Sequence, residues 1–143
     1  MIENIFHNGI RLSIIIRNKY SSEGISFFTQ DQDSQQLGYM NRPKDYVIPP
    51  HRHNLVPREV HLTQEVLFIK SGKIRVDFYS NDQEYFTSRI LVQGDVILLS
   101  DGGHGFKMLE TSEIIEVKQG PYIETMDKVR FESIKDEVIN FNQ

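Results

Sequence analysis

Short apolar runs, many of them alternating with polar residues, recur along the chain. Turn residues separate them every eight to twelve positions or so, the spacing of an all-β sandwich or barrel. Leu12-Ser13-Ile14-Ile15-Ile16 is rich in β-branched residues and predicts a strand. Ser21-Ser22-Glu23-Gly24 predicts a turn, and Ile25-Ser26-Phe27-Phe28 a second strand. Positions 31–36 are uniformly polar and read as a surface loop, with a short strand over 37–40 behind it. Asp45-Tyr46-Val47-Ile48 is a further extended stretch. It must end at Pro49-Pro50, since two prolines cannot sit inside a central strand.

From Glu65 the pattern becomes a meander. The run 66–70 meets the turn Ser71-Gly72. Ile74, Val76 and Phe78 then alternate with Arg75, Asp77 and Tyr79, which places Arg75 and Asp77 on a solvent-facing side. Strands follow over 85–92, 96–99, 106–109 and 114–118, and Gln119-Gly120-Pro121 closes the series. The tail, 122–143, is polar with scattered Ile134 and Val138, and its pattern fits either a short helix or an added edge strand. His7 lies in a polar stretch ahead of the first predicted strand and is assigned no role.

The bulk numbers narrow the class. A chain of 143 residues, 38% hydrophobic and 25% charged, fits one soluble domain with a real core. A net charge of −4 argues against nucleic acid as a partner held through a broad basic surface. No apolar run approaches the length of a membrane span, and the start Met1-Ile2-Glu3-Asn4 does not read as a signal peptide. Cysteine is absent, which removes disulfides, thiolate metal sites and a cysteine nucleophile, and agrees with a cytoplasmic protein.

The chemically loaded stretch is 48–72. His51 and His53 are separated by one residue, so in an extended chain both imidazoles point to one side. The bland alternative is two solvated histidines after a Pro-Pro turn. Glu65 heads a strand on the face of Leu67 and Ile69. A carboxylate buried there without a partner would cost several kcal/mol, so it needs a cation or a hydrogen bond. The opposite choice turns Val66 and Phe68 inward and leaves Glu65 on the surface. Downstream, Asp101-Gly102-Gly103 precedes His104, and glycines there can take positive φ and aim the imidazole inward beside Phe106 and Met108. A phosphate-cradling loop is a poor fit, since no Gly-Lys-Ser/Thr follows.

These residues resemble the two motifs of the cupin superfamily, G-x5-H-x-H-x3/4-E-x6-G and G-x5-P-x-G-x2-H-x3-N. His51-x-His53 matches the histidine pair, Glu65-x6-Gly72 the end of the first motif, and Gly94, Gly102 and His104 the second. The resemblance covers about 44–118. The chain departs from the motifs where residues 54–64 separate His53 from Glu65, where Ser100 replaces proline, where His104 comes one residue early, and where Met108 replaces asparagine. A rival alignment, Glu59-x-His61-x3-Glu65-x6-Gly72, keeps the family spacing with glutamate in place of the first histidine.

The resemblance implies an all-β, double-stranded β-helix (a cupin or jelly-roll barrel) forming a single domain over 1–143. The N-terminal strands would fill 10–40 and form a candidate edge for a homodimer. It implies a divalent transition metal (Fe, Mn, Ni, Zn or Cu) held by His51, His53, Glu65 and His104. Imidazoles and one carboxylate suit such an ion rather than calcium. It further implies a small-molecule ligand. The chemistry would be carbohydrate-related, isomerase- or epimerase-like, or else dioxygenase-like, with Glu59, His61 and Lys118 as nominees for catalytic groups. Arg58 and Glu59 would line the cavity. The alternative is a module that binds or senses a metal or small ligand without turnover.

Overall fold

The computed structural model describes residues 1–141. It is all-β, with antiparallel pairing throughout and, among the described residues, no α-helix. A single 3-10 turn covers Asp136–Val138. Among the described residues no helix is long and apolar enough to cross a membrane. The chain divides into two compact units, Ser21–Leu62 and the remainder.

The larger unit holds eight strands. These are β1 (Ile2–His7), β2 (Ile10–Ile16), β5 (Glu65–Ser71), β6 (Lys73–Tyr79), β7 (Tyr85–Val92), β8 (Val96–Leu99), β9 (Gly103–Met108) and β10 (Glu113–Lys118). One sheet runs β1-β2-β8-β5-β10 and the other β7-β6-β9. Apolar side chains from both sheets form one core. Ile5, Ile15, Ile97, Leu67 and Ile69 come from the first, and Ile74, Val76, Phe78 and Leu91 from the second. Burial of these side chains from water is the main favourable term holding the sheets together. The sheets do not close into a barrel: β1 and β10 end one of them, β7 and β9 the other.

β1 is the strand the pattern did not predict. Its carboxylate, Glu3, is partnered rather than solvated. Arg17 Nε donates to Glu3 Oε1 at 2.6 Å and Arg89 Nε to Glu3 Oε2 at 3.2 Å, while Arg17 Nη1 reaches buried Asp95 at 2.9 Å. Burial alone would raise the Glu3 pKa, but the two guanidinium groups outweigh it and leave it lowered. His7, set aside at first, is the last residue of β1 and lies against Phe86, with ring centroids 4.5 Å apart.

Arg75 and Asp77 correct a second expectation. They point away from the core, as their alternation requires, yet both are buried. The C-terminal segment covers that face of β6 and β7. Asp136 accepts from Arg75 at 2.8 Å, Tyr79 Oη accepts from the Ile134 N–H at 2.9 Å, and the Asn140 carbonyl accepts from the Ser88 N–H at 2.8 Å. Over its described residues the tail therefore forms neither the helix nor the edge strand considered for it, and its one 3-10 turn is Asp136–Val138.

The smaller unit, Ser21–Leu62, carries one hairpin, β3 (Gly24–Phe27) paired with β4 (Gly38–Asn41). The polar loop between them is tied by its own side chains, with Thr29 Oγ1 donating to Gln36 Oε1 at 2.9 Å and the Gln30 N–H to Asp33 at 2.8 Å. No strand lies between β4 and β5, so the extended element expected before Pro49 is absent. Four of the five prolines, Pro43, Pro49, Pro50 and Pro57, fall in this stretch. Each lacks the N–H that a ladder needs.

Candidate functional site

Glu65 is the first residue of β5 and shares the inner face with Leu67 and Ile69. Its backbone is held on both sides. The Gln64 N–H donates to Gln119 Oε1 at 2.6 Å, and Glu65 itself lies opposite Leu99 of β8 and Lys118 of β10. Residues directly opposite in an antiparallel pair project to the same face, so Lys118 also points inward. Of the two orientations open for the Val66–Ile69 run, the folded chain takes the one that turns the carboxylate in.

His104 comes from the other sheet. It sits on β9 opposite core residue Phe78, so its ring also faces inward. Gly102 makes the approach possible. Its φ is +68°, and a β-carbon there would lie 2.7 Å from Leu12 Cδ2. The outcome is a contact across the two sheets: His104 Nε2 and Glu65 Oε2 are 3.1 Å apart, with the imidazole 27% and the carboxylate 15% exposed. The hydrogen bond from His104 lowers the Glu65 pKa. Burial works against this, and the charges of His104, Lys118 and Lys128 add to the lowering. His104 also faces Phe106, with centroids 5.4 Å apart.

Lys118, one of the nominated groups, thus belongs to the neighbourhood of this pair. Its Nζ is 3.6 Å from Glu116 Oε1 and 5.1 Å from the Tyr122 ring centroid. Glu116 escaped the sequence reading. The signal was present, since Ile114, Glu116 and Lys118 alternate onto one face of β10. Tyr122 is legible from its place just past the last predicted strand beside Lys118, whereas Lys128 lies in the non-periodic tail, where no pattern points to it.

The remaining candidates lie in the smaller unit. His51 and His53 are exposed and in no strand. Their rings are 5.4 Å apart and nearly perpendicular at 78°, with His51 Nδ1 3.1 Å from the Pro49 carbonyl. Glu59 and His61 contact each other at 3.2 Å, with side chains 85% and 80% exposed. Arg58 and Glu59 line a groove of about 690 Å³ with Phe27, Asp33 and Gln36 of the same unit, and none of His51, His53, Glu65 or His104 is among its lining residues. Among the described residues no group of three or more His, Asp or Glu side chains is gathered closely enough to hold a metal ion. Within the larger unit the structure brings together Glu65 and His104, and within the smaller one His51 and His53.

No family model matches the chain, and comparisons with curated proteins and with solved structures give no match either.

Proposed function

We propose that the chain is a cupin-like domain that binds a divalent transition metal through Glu65 and His104 and acts on a small molecule. The observation that carries this reading is the Glu65–His104 contact. Two residues from separate motifs meet at 3.1 Å across the sheets, half-buried and inward-facing. The winding of the chain agrees with it. β5 lies in one sheet, β6 and β7 in the other, β8 in the first again, β9 in the second and β10 in the first. That back-and-forth passage is what a double-stranded β-helix requires.

The donor chemistry fits the ion. A carboxylate oxygen and an imidazole nitrogen suit Fe, Mn, Ni, Zn or Cu. His51 and His53 are the further ligands of the proposal, and their support is the His-x-His spacing alone. Bound there, such a metal would act as a Lewis acid on a carbonyl or hydroxyl, and Fe would also handle dioxygen. The chain's own part is to hold the Glu65 carboxylate ionised, orient His104 through the Gly102 turn, and present Lys118 beside them. Carbohydrate-related isomerisation or epimerisation, or dioxygenation, are the reaction classes carried over from the resemblance. A binding or sensing module without turnover is favoured by one observation, that Glu65 and His104 already satisfy one another. A homodimer joined through β1, an edge of the five-stranded sheet, completes the proposal.

The test is metal content and turnover of the full chain. Stripped protein is reloaded with each of the five metals and assayed by elemental analysis, then screened with sugars and small acids for product and for oxygen uptake. About one ion per chain, lost in Glu65→Gln, supports the reading. No stoichiometric uptake of any of the five ends it.

A further inference from the structure

The inner face of the larger unit changes character at its last strands. On β6, Val76 and Phe78 are almost wholly buried at 0% and 1%. Their direct partners on β9 are Phe106 and His104, and Met108 stands opposite Ile74. Phe106 and Met108 face the same interior but are 38% and 47% exposed. Across from them β10 turns Ile114, Glu116 and Lys118 inward, in register with Ile69, Leu67 and Glu65. Both β9 and β10 end their sheets. Inward-facing apolar side chains that water still reaches mark an open end between the two sheets, with Phe106 and Met108 on the β9 edge and the charged groups on the β10 edge.

Lys118 stands out on the β10 edge. Its nearest carboxylate oxygen, Glu116 Oε1, is 3.6 Å away, too long for a good hydrogen bond. An ammonium has three donors to satisfy. The Tyr122 ring beside it adds an aromatic face without an acceptor of comparable strength. Lys128 contributes a second positive charge felt at Glu65.

We infer that this opening binds a small organic monocarboxylate. The Lys118 ammonium receives its anionic end, and its apolar body lies against Phe106 and Met108. The inference rests on the reading that Glu65 and His104 form the reactive end of the same opening. A singly charged acid is the better match than a phosphate ester. The positive charges of Lys118 and Lys128, set against the carboxylates of Glu65 and Glu116, leave little surplus positive charge, and no guanidinium fork or helix N-terminus is at hand among these residues.

The test is calorimetric and NMR titration of the full chain, metal-free and metal-loaded, with benzoate and hexanoate as probes. Benzamide and hexanamide serve as uncharged mimics. The expected result is saturable binding of the acids, at least tenfold tighter than the amides, with shifts at Lys118, Phe106 and Met108. Lys118→Met should weaken the acids at least tenfold. Phe106→Ala gives a second variant and should weaken both acids. Equal binding of acid and amide, unchanged affinity in Lys118→Met, or no saturation by either acid overturns the inference. Metal uptake without acid binding sinks this inference alone. Acid binding at Lys118 in a chain that takes up no metal sinks the metal reading and leaves the acid site standing.

Discussion

Arg75 and Asp77, two residues apart on the same face of β6, are joined by paired hydrogen bonds, Nε to Oδ1 at 2.8 Å and Nη2 to Oδ2 at 2.9 Å. This two-pronged geometry is the strong form of a guanidinium–carboxylate contact. The pair is buried, and Asp136 and Ser88 satisfy what remains of it. Arg75 is held protonated, first by Asp77, with burial opposing and Asp136 assisting. Removing one member strands the other. Arg75→Met should therefore destabilise the fold by about 3 kcal/mol, the usual cost of leaving a buried charge uncompensated. Urea unfolding would show it. The double variant Arg75→Met, Asp77→Leu should recover much of the loss, and a double variant no better than the single would overturn the explanation.

The Glu65–His104 contact predicts a pH dependence with a definite sign. Glu65 has an ordinary value near 4.5 and is lowered in the folded chain, chiefly by the His104 hydrogen bond. The unfolded chain then binds the proton more readily, so stability rises with pH through that region. The contribution is present above about 4.5 and disappears as pH falls below it, through the lower folded-state value. Glu65→Gln should remove this dependence. Wild type and variant, compared by urea midpoint between neutral pH and pH 3, should converge as the pH drops. A constant gap, or one that widens in acid, would contradict the assignment.

Which of these features was legible beforehand depended on where the deciding partner lay. The meander from β5 to β10 could be read because each strand buries one face on one core, and Ile74, Val76 and Phe78 record that burial as alternation. Glu65 and His104 followed from face and turn: the first from Leu67 and Ile69, the second from Gly102. β1 was missed because Glu3 interrupts its apolar pattern, and the residues that neutralise it, Arg17 and Arg89, are remote in sequence. Arg75 and Asp77 looked solvent-facing because alternation reports which face leaves the core, not what covers the other one. The apolar triplet at Tyr46–Val47–Ile48 looked like a strand, but a strand needs a ladder partner, and the prolines around it remove donors.

Gly72 closes the tight turn between β5 and β6 at a φ of +86°. A β-carbon there would fall 2.7 Å from Ser112 Cα and against the Thr111 carbonyl. Both backbone strain and contact oppose any side chain. Gly72→Ala should lower stability by about 1–3 kcal/mol from strain alone, and by more if the Thr111–Ser112 backbone has to move. Because Gly72 follows the strand that carries Glu65, metal affinity should fall in the same variant. Asn8 also has positive φ, at +49°, in the β1–β2 turn beside Gly9, where nothing lies within 4 Å of an added β-carbon. Gly9→Ala therefore makes the control, expected to show strain without a clash and a smaller loss.

The two alignments of the first motif make opposite predictions about the metal, and paired variants separate them. In the preferred one, His51, His53, Glu65 and His104 are the ligands, and Glu59 and His61 are not. His104→Ala would then leave the Glu65 carboxylate half-buried without its hydrogen-bond partner, so two effects are expected together. Metal affinity should drop at least tenfold, and the chain should lose about 1–2 kcal/mol of stability even without metal. His51→Ala and His53→Ala should reduce metal affinity while leaving metal-free stability unchanged, because both side chains are exposed. Glu59→Gln and His61→Ala, whose mutual contact is open to solvent, should change neither. Elemental analysis with competitive chelator titration measures the first quantity and urea unfolding the second. If Glu59→Gln and His61→Ala abolish metal binding while His51→Ala and His53→Ala do not, the alignment that keeps the family spacing is the right one. Glu65 would then be shared by both schemes, as its inward orientation on β5 already permits.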